Sequence, residues 1–185
     1  MARLSREDWV DAAYRHFADN GLDAVRVEPV AREIGATKGS FYWHFADRAE
    51  LVDAVLDRWE DSETSAVIGI VDESDDPRER LERLVRIVTT RTPDRGGEAT
   101  LFTAAERNGV VDAVARVTER RVAFVASVLA QLGFDAAESR RRATTLVAAV
   151  VGYQQLIATG WSPGQDTPEM LAASLLEMAI GPHRE

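Results

Sequence analysis

The sequence predicts an all-α protein of about nine helices. No segment shows the sustained alternation of apolar and polar residues that a half-buried β-strand requires. Apolar residues instead recur every three or four positions, in segments that start at capping residues and end at glycine or proline. With 185 residues, of which 45% are hydrophobic and 29% charged, the chain has the composition of a globular protein with one domain or two small ones.

The first predicted helix begins after Ser5, whose spacing to Asp8 resembles a capping box. Val10 and Phe17 then lie at helical spacing and supply an apolar face. Asn20-Gly21 ends this helix, because glycine readily adopts the left-handed conformation that closes a helix.

Two short helices follow, and a tight turn at Gly35-Ala36 separates them. The second helix is expected from about Glu28 to Ile34, with Pro29 in its first turn, where a missing N–H is tolerated. Thr37 is expected to cap the third helix, which ends near Phe45. Two short helices joined by a turn that contains glycine indicate a helix-turn-helix.

A long connector helix and five further helices complete the prediction. Asp47-x-x-Glu50 is a second capping box, and it opens the connector helix, which runs through Trp59 to about Ile70. An acidic loop at 72–76, a break from Pro93 to Gly97, Asn108-Gly109, Gly133 and a Pro/Gly loop at 161–166 delimit the remaining helices. These are expected at about 77–92, 98–107, 110–132, 136–160 and 168–180. We therefore predict a helix-turn-helix domain at 1–46 and a second helical domain at 47–185.

The charge balance shows what kind of nucleic-acid contact is open to this chain. The net charge is −9, with −2 on residues 1–50 and −7 on residues 51–185. Neither part is a basic tail, which argues against binding through bulk charge. Any DNA contact must come from a surface built locally.

The residue inventory argues against an enzyme. The chain has no cysteine and only three histidines, His16, His44 and His183. It has no glycine-rich phosphate loop and no Ser-His-Asp arrangement with a visible order, so we expect no cofactor and no metal site. No apolar run approaches the roughly 18 residues of a membrane span, and the N-terminus lacks the hydrophobic region of a signal peptide. A cytoplasmic location is the default expectation.

The stretch from Thr37 to Phe45 concentrates the chemistry of the helix-turn-helix. Lys38 is the only lysine in the chain, and the other 21 basic residues are arginine. Phe41 and Phe45 are expected in the core, which turns the intervening residues outward. In a helix-turn-helix the N-terminal residues of the second helix reach base edges in the major groove. The expected DNA-binding residues are Thr37, Lys38, Gly39 and Ser40 at base edges, and Tyr42, Trp43 and His44 at phosphates.

At these residues the chain resembles the TetR family of one-component repressors, over roughly Ser5 to Leu56. The resemblance is carried by Ala12-Ala13, Phe17, Gly21, Ala31, Ile34-Gly35, Thr37-Lys38-Gly39-Ser40, Phe41-Tyr42, His44-Phe45 and Asp47-Arg48-x-x-Leu51. It implies a homodimer with a DNA-binding module on each subunit, and a helical effector domain closed by a four-helix bundle from the last two helices. One position departs from the pattern: Val27 stands where the family often has a threonine that touches phosphate. Arg26 is the expected replacement.

Several of these residues have a second interpretation. His44 is either a phosphate contact or a hydrogen bonder between helices. Arg48 is either a surface salt bridge or a DNA contact. Arg3 and Arg6 either reach the DNA or are solvated.

The second domain is expected to hold an effector pocket and the dimer face. Candidate ligand-binding residues are Trp59, Ile87, Phe102, Arg107, Val122, Val125, Tyr153 and Gln154, each of which also suits a simple core or surface position. The stretch 146–153 is apolar almost all round, as expected of a helix buried on two faces. The homodimer is expected through the last two helices, at Ala148, Gly152, Leu171, Leu175 and Met178.

The residues and the resemblance together predict a ligand-responsive DNA-binding regulator. Its simplest form is a repressor that a small hydrophobic effector releases from a palindromic operator. The alternative, which the acidic charge and Val27 leave open, is a helical small-molecule-binding or scaffold dimer without DNA binding.

Overall fold

The fold is that of a computed structural model, which describes residues 4–90 and 97–181. Within those ranges the chain is helical with no β-strand, which confirms the all-α prediction. The α-helices are α1 (Arg6–Asn20), α2 (Val27–Glu33), α3 (Lys38–Phe41), α4 (Arg48–Glu60), α5 (Ala66–Val71), α6 (Pro77–Thr90), α7 (Gly97–Asn108), α8 (Val111–Gln131), α9 (Ala136–Ala158) and α10 (Pro168–Ile180). A short 3₁₀ helix, Leu22–Ala24, follows α1. The predicted break before Gly97, and Arg3 and His183, lie outside the described residues.

Capping side chains begin the helices where the sequence predicts them. Ser5 and Asp8 form the reciprocal capping box of α1, in which the Asp8 backbone N–H donates to Ser5 Oγ and the Ser5 N–H donates to Asp8 Oδ2. Thr37, Asp47 and Asp135 cap α3, α4 and α9 with a one-way bond, each side chain accepting from the backbone N–H three residues on. The predicted capping box at Asp47 is therefore only half formed, because Glu50 Oε2 accepts from the Ala46 N–H instead. These local signals explain why the starts of the helices were predicted well.

The predicted connector helix is one helical run with an irregular centre. α4 leads into a π-helical segment, Asp61–Ser65, which leads into α5. Counting this run as one helix, the described residues contain the nine helices that were predicted. Thr64 is buried in the π segment, and its Oγ1 accepts a hydrogen bond from Arg121 Nε at 2.9 Å.

The third helix is shorter than predicted. α3 ends at Phe41 rather than near Phe45, and the chain continues as a turn in which the His44 N–H donates to the Phe41 carbonyl at 2.9 Å. The aromatic residues explain the early end. The Phe41 and Phe45 rings stack at 5.2 Å, and Trp9 packs edge-on against Phe41 at 5.4 Å, so the turn is held by core packing rather than by a regular helix.

The chain divides into two compact units. The first combines Met1–Glu63 with Pro93–Ala113, and the second combines Thr64–Thr92 with Val114–Glu185. The predicted boundary between a helix-turn-helix domain and a second domain at residue 46 stays a prediction. It separates the chain by function, whereas the compact units group helices by packing.

The first unit packs α1 against α2, α4 and α7. Its core includes Trp9, Phe17, Phe41, Phe45 and Trp59, all of which are buried. α7 approaches α1 closely at Gly97, where a Cβ atom would lie 2.2 Å from the Phe17 carbonyl oxygen. Glycine is therefore required at this contact.

The second unit is built on α6, α8, α9 and α10, with α10 packed on α6 and α9. Its core cluster contains Leu81, Val85, Val122, Val125, Val128, Leu129, Ala143, Leu146, Ala172, Leu175 and Ala179. The structure corrects the assignment of Leu175 to the predicted dimer face, because this side chain is 6% exposed and belongs to the core of the second unit. Leu171 is half-buried against that core, whereas Ala148, Gly152 and Met178 are exposed.

The predicted effector residues are shared between the units. Trp59, Phe102 and Arg107 belong to the first unit, and Ile87, Val122, Val125, Tyr153 and Gln154 belong to the second. Packing in the core cluster accounts for the apolar character of Val122 and Val125 without a ligand. The Tyr153 ring packs edge-on against Trp161 at 6.3 Å.

Candidate nucleic-acid interface

The turn between α2 and α3 has the geometry that a helix-turn-helix requires. Gly35 has a φ of 67°, in the left-handed region that favours glycine, and the Ala36 N–H donates to the Ala31 carbonyl at 2.8 Å. Ala31 and Phe41 are buried on the two sides of this turn. The turn therefore orients α3 against the core and leaves its N-terminal face outward.

Thr37 and Ser40 use part of their hydrogen-bonding capacity on each other. Thr37 Oγ1 accepts from the Ser40 N–H at 3.2 Å, and Ser40 Oγ donates to the Thr37 carbonyl at 2.8 Å. A hydroxyl has one donor and two acceptor positions. Thr37 thus keeps a donor, which suits phosphate, and Ser40 keeps an acceptor, which suits an adenine or cytosine amino group.

Lys38 does not project freely into solvent. Its Nζ donates to Oε1 of Glu28 in the first turn of α2, at 2.6 Å, and each side chain is 58% exposed. This hydrogen bond is the largest cause of two pKa shifts: it lowers the pKa of Glu28 and raises the pKa of Lys38. Both groups therefore stay charged across the neutral pH range.

Two aromatic side chains beside Lys38 are exposed to an unusual degree. Trp43 is 82% exposed and Tyr42 is 58% exposed, although the flanking Phe41 and Phe45 are buried. Surface tryptophan at this exposure is uncommon in a folded protein unless the ring faces a partner. Tyr42 and Trp43 carry O–H and N–H donors that suit phosphate oxygens.

His44 is half-buried, and it lies near the capping carboxylate of α1. The pKa of Asp8 is lowered mainly by the Ser5 hydrogen bonds, and the nearby charge of His44 lowers it further. The two predicted roles of His44, phosphate contact and partner of another helix, both remain open at this position.

Arg26 and Arg48 both hold the loop that precedes α2. Arg26 is the N-cap residue of α2, and its Nε donates to the Asp23 carbonyl at 3.0 Å. Arg48 donates to the Val25 and Leu22 carbonyls, each at 2.7 Å. Arg48 therefore has a role that neither sequence interpretation proposed: it anchors a loop. The remaining donors of the exposed Arg26 side chain are compatible with a phosphate contact.

Arg107 also reaches this loop. Its guanidinium lies 2.8 Å from Asp23 Oδ2, so α7 is tied to the 3₁₀ helix that leads into α2. The sequence suggested an effector contact for Arg107, and the structure gives it a partner inside the first unit. A contact between residues 84 positions apart has no local sequence signal.

Of the predicted DNA-binding residues, only Arg26, Lys38 and Tyr42 line an open cleft of about 590 Å³ in the first unit. Its walls include Asp23, Arg26, Val27, Glu28, Lys38, Phe41, Tyr42, Asp47, Arg48, Arg107 and Asn108. Predicted DNA-binding residues therefore lie beside acidic residues that the sequence did not single out. Glu28 is the main residue of this cleft that the sequence analysis missed. Its only sequence signal is its position at the start of α2, because a helix-turn-helix brings the start of α2 close to the start of α3.

The N-terminal part of the chain is similar in sequence to known proteins. Residues 10–55 match the sequence profile described as "Bacterial regulatory proteins, tetR family". The chain is 39% identical over 56 residues to the HTH-type transcriptional regulator TtgR of Pseudomonas putida, which is 30% of this chain and 27% of TtgR. It is 37% identical over 79 residues to the HTH-type transcriptional repressor KstR2 of Mycobacterium tuberculosis, which is 43% of this chain and 40% of KstR2. The chain therefore aligns with well under two thirds of the length of either relative.

Solved structures resemble the chain over nearly its whole length. A transcriptional regulator from Rhodococcus sp. Rha1 superposes with a TM-score of 0.75 at 25% identity, covering 95% of this chain and 94% of that one. The regulator FadR from Bacillus subtilis, solved in complex with stearoyl-CoA, gives a TM-score of 0.70 at 14% identity, covering 96% and 98%. At 14% identity, the similarity to FadR concerns the fold alone. None of the helices in the described ranges is long and apolar enough to cross a membrane.

Proposed function

We propose that this chain, whose residues 10–55 match the profile of the TetR family of transcriptional regulators, is a dimeric, ligand-responsive repressor of that family. The observation that carries the DNA-binding part is the pairing of buried and exposed aromatics at the end of α3. Phe41 and Phe45 hold the helix to the core, while Tyr42 and Trp43 project 58% and 82% exposed on the same short segment.

The DNA contacts follow from the hydrogen-bonding capacity left on each side chain. Lys38 has three N–H donors, so it can reach guanine O6 or N7 while one donor stays on Glu28. Ser40 offers an acceptor to a base amino group, and Gly39 lets the backbone approach DNA closely. The Thr37 hydroxyl can donate to a base edge, as predicted, or to a phosphate. Arg26, Tyr42, Trp43 and His44 are the proposed phosphate contacts.

We propose that α9 and α10 form the dimer face. Leu156 of α9 is 48% exposed, and Met170 and Met178 of α10 are 54% and 42% exposed. Ala148 and Gly152 add a surface on α9 with no bulky side chain, which permits close helix approach. A two-fold dimer of this kind presents two recognition helices to half-sites about 34 Å apart, or a multiple of a helical turn.

A small hydrophobic effector is the proposed inducer. Bound effector favours a spacing of the two α3 helices that mismatches the operator, and such coupling is typically about 1–3 kcal/mol. The connector helix α4–α5 and the Arg107–Asp23 contact are the proposed links to the loop before α2. Within the second unit, Ile87, Tyr153 and Gln154 are the proposed candidates for the pocket wall, because Val122 and Val125 pack in the core.

A gel-shift assay with duplex DNA from the intergenic region upstream of the gene tests this proposal. The expected result is a shifted complex with a palindromic site, which weakens as salt rises. Stable dimers that bind no palindrome at low salt would support the scaffold or small-molecule-binding alternative instead.

A further inference from the structure

Glu28 places a negative charge within the surface proposed to face DNA. Its Oε1 lies 2.6 Å from Lys38 Nζ, and its side chain is 58% exposed in the same cleft as Arg26 and Tyr42. A carboxylate at this position repels phosphate. The lone lysine of the chain is therefore paired before any DNA arrives.

We propose that Glu28 is a specificity-determining residue: it weakens binding to DNA of arbitrary sequence more than binding to the operator. The inference rests on the proposed DNA-binding function and adds to it a residue that acts against affinity. Its direct partner is Lys38, through which it sets the balance between the two kinds of binding.

Sequence-independent binding depends on uncompensated positive charge at the phosphates. With Glu28 beside it, Lys38 contributes little net charge to the surface. Sliding over arbitrary DNA brings phosphates to this surface without a matching base, so the repulsion from Glu28 is not offset there.

Operator binding is affected differently because the ammonium group has three donors. One donor stays on Glu28 Oε1, and the others reach a base edge. The ion pair also restricts the long lysine side chain to one direction, which reduces the ordering that binding would otherwise require. Glu28 thus both repels phosphate and orients Lys38.

Glu33 on the same helix provides a matched control. It pairs with Arg15 at 2.7 Å and lies 2.8 Å from His16 Nε2, both on α1, and it does not line the cleft. Replacing either Glu28 or Glu33 with Gln removes one negative charge from α2. Only the first change frees Lys38.

The test compares Glu28→Gln, Glu33→Gln and the wild type on two duplexes of about 30 base pairs, long enough for two half-sites. One duplex is selected by the wild-type protein from a random pool, and the other is a shuffled sequence of the same composition. For Glu28→Gln we expect binding to the shuffled duplex to tighten by about fivefold, with a log–log salt slope steeper by about one. Binding to the selected duplex stays level or weakens, so the ratio between the two falls.

Three results would overturn the inference while leaving the proposed function intact, and the first two come from the single variants. One is equal tightening on both duplexes; the other is no difference between Glu28→Gln and Glu33→Gln. In a Lys38→Gln background the Glu28→Gln change should no longer alter the ratio, and a persistent effect would also contradict the inference. If the wild type selects no duplex at all, both proposals fall together.

Discussion

The Arg48 guanidinium donates from Nε to the Val25 carbonyl at 2.7 Å, and it donates from a second nitrogen to Leu22. Two helix-flanking carbonyls are thereby held by a residue at the start of α4. The position of α2 in the helix-turn-helix depends on this loop.

Replacing Arg48 with Gln removes both bonds. Hydrogen bonds from charged donors contribute about 1.5–3 kcal/mol each when well formed, and partial exposure reduces this, so we expect a loss of about 2 kcal/mol in the free energy of unfolding. Chemical denaturation followed by circular dichroism measures it. Arg32→Gln, an equal change at an exposed position on α2, should leave the midpoint unchanged; a similar loss there would show that only the charge matters.

Lys38→Gln and Tyr42→Ala should each weaken operator binding. A lost base or phosphate contact typically costs about 1–3 kcal/mol, so we expect roughly a 5- to 150-fold rise in Kd by fluorescence anisotropy. Arg78→Gln on α6 removes the same charge outside the first unit and serves as the control. If neither substitution weakens binding, α3 does not read the operator as proposed.

Gly97→Ala should destabilise the first unit. The new Cβ atom would lie 2.2 Å from Phe17 O and 2.8 Å from Ala18 Cα, and backbone atoms cannot yield as a flexible side chain can. We expect a loss of about 1–3 kcal/mol, the usual range for overpacking. Gly69→Ala in α5 meets nothing within 4 Å and should stabilise by about 0.5–1 kcal/mol. Equal thermal midpoints for the two variants would disprove the close contact.

Met178→Glu should dissociate the proposed dimer. The side chain is 42% exposed on α10, so the charge is tolerated in the monomer but not in an apolar helix interface. Sedimentation at micromolar concentration is expected to show a shift to monomer, accompanied by loss of operator binding. Ile70→Glu, at a side chain 40% exposed on α5, should remain dimeric. A Met178→Glu dimer would move the interface elsewhere.

The Lys38–Glu28 pair predicts a pH dependence of known sign. The pKa of Lys38 is raised by its hydrogen bond to Glu28, so the stabilisation from the pair is fully present below the ordinary lysine pKa and is lost as pH rises through the raised value. The lowered pKa of Glu28 sets the acid limit, where the pair is lost as pH falls through that value. Because Lys38 is the only lysine, isotope-labelled lysine gives a single side-chain resonance. Its titration midpoint should fall in Glu28→Gln and not in Glu33→Gln.

Signals within a few residues made much of this protein predictable. The capping residues Ser5, Thr37 and Asp47 act three residues away, so the starts of their helices could be read directly. The apolar spacing of Phe41 and Phe45 likewise identified the buried side of the recognition segment, and with it the exposure of Tyr42 and Trp43. The predicted end of α3 near Phe45 was wrong, because stacking of the Phe41 and Phe45 rings replaces the final helical turn.

The sequence by itself determined the all-α class, the helix-turn-helix and the residues that face outward from it, because periodicity and capping are local. Only the tertiary structure decided what each charged group contacts. Glu28 and Lys38 are ten residues apart, Arg48 bonds carbonyls more than twenty residues away, and Arg107 meets Asp23 across 84 positions. Such pairs depend on how helices pack and on where long, flexible side chains find a partner. Leu175 illustrates the same limit, because an apolar position on a helix suits a core and an interface equally until the packing is known.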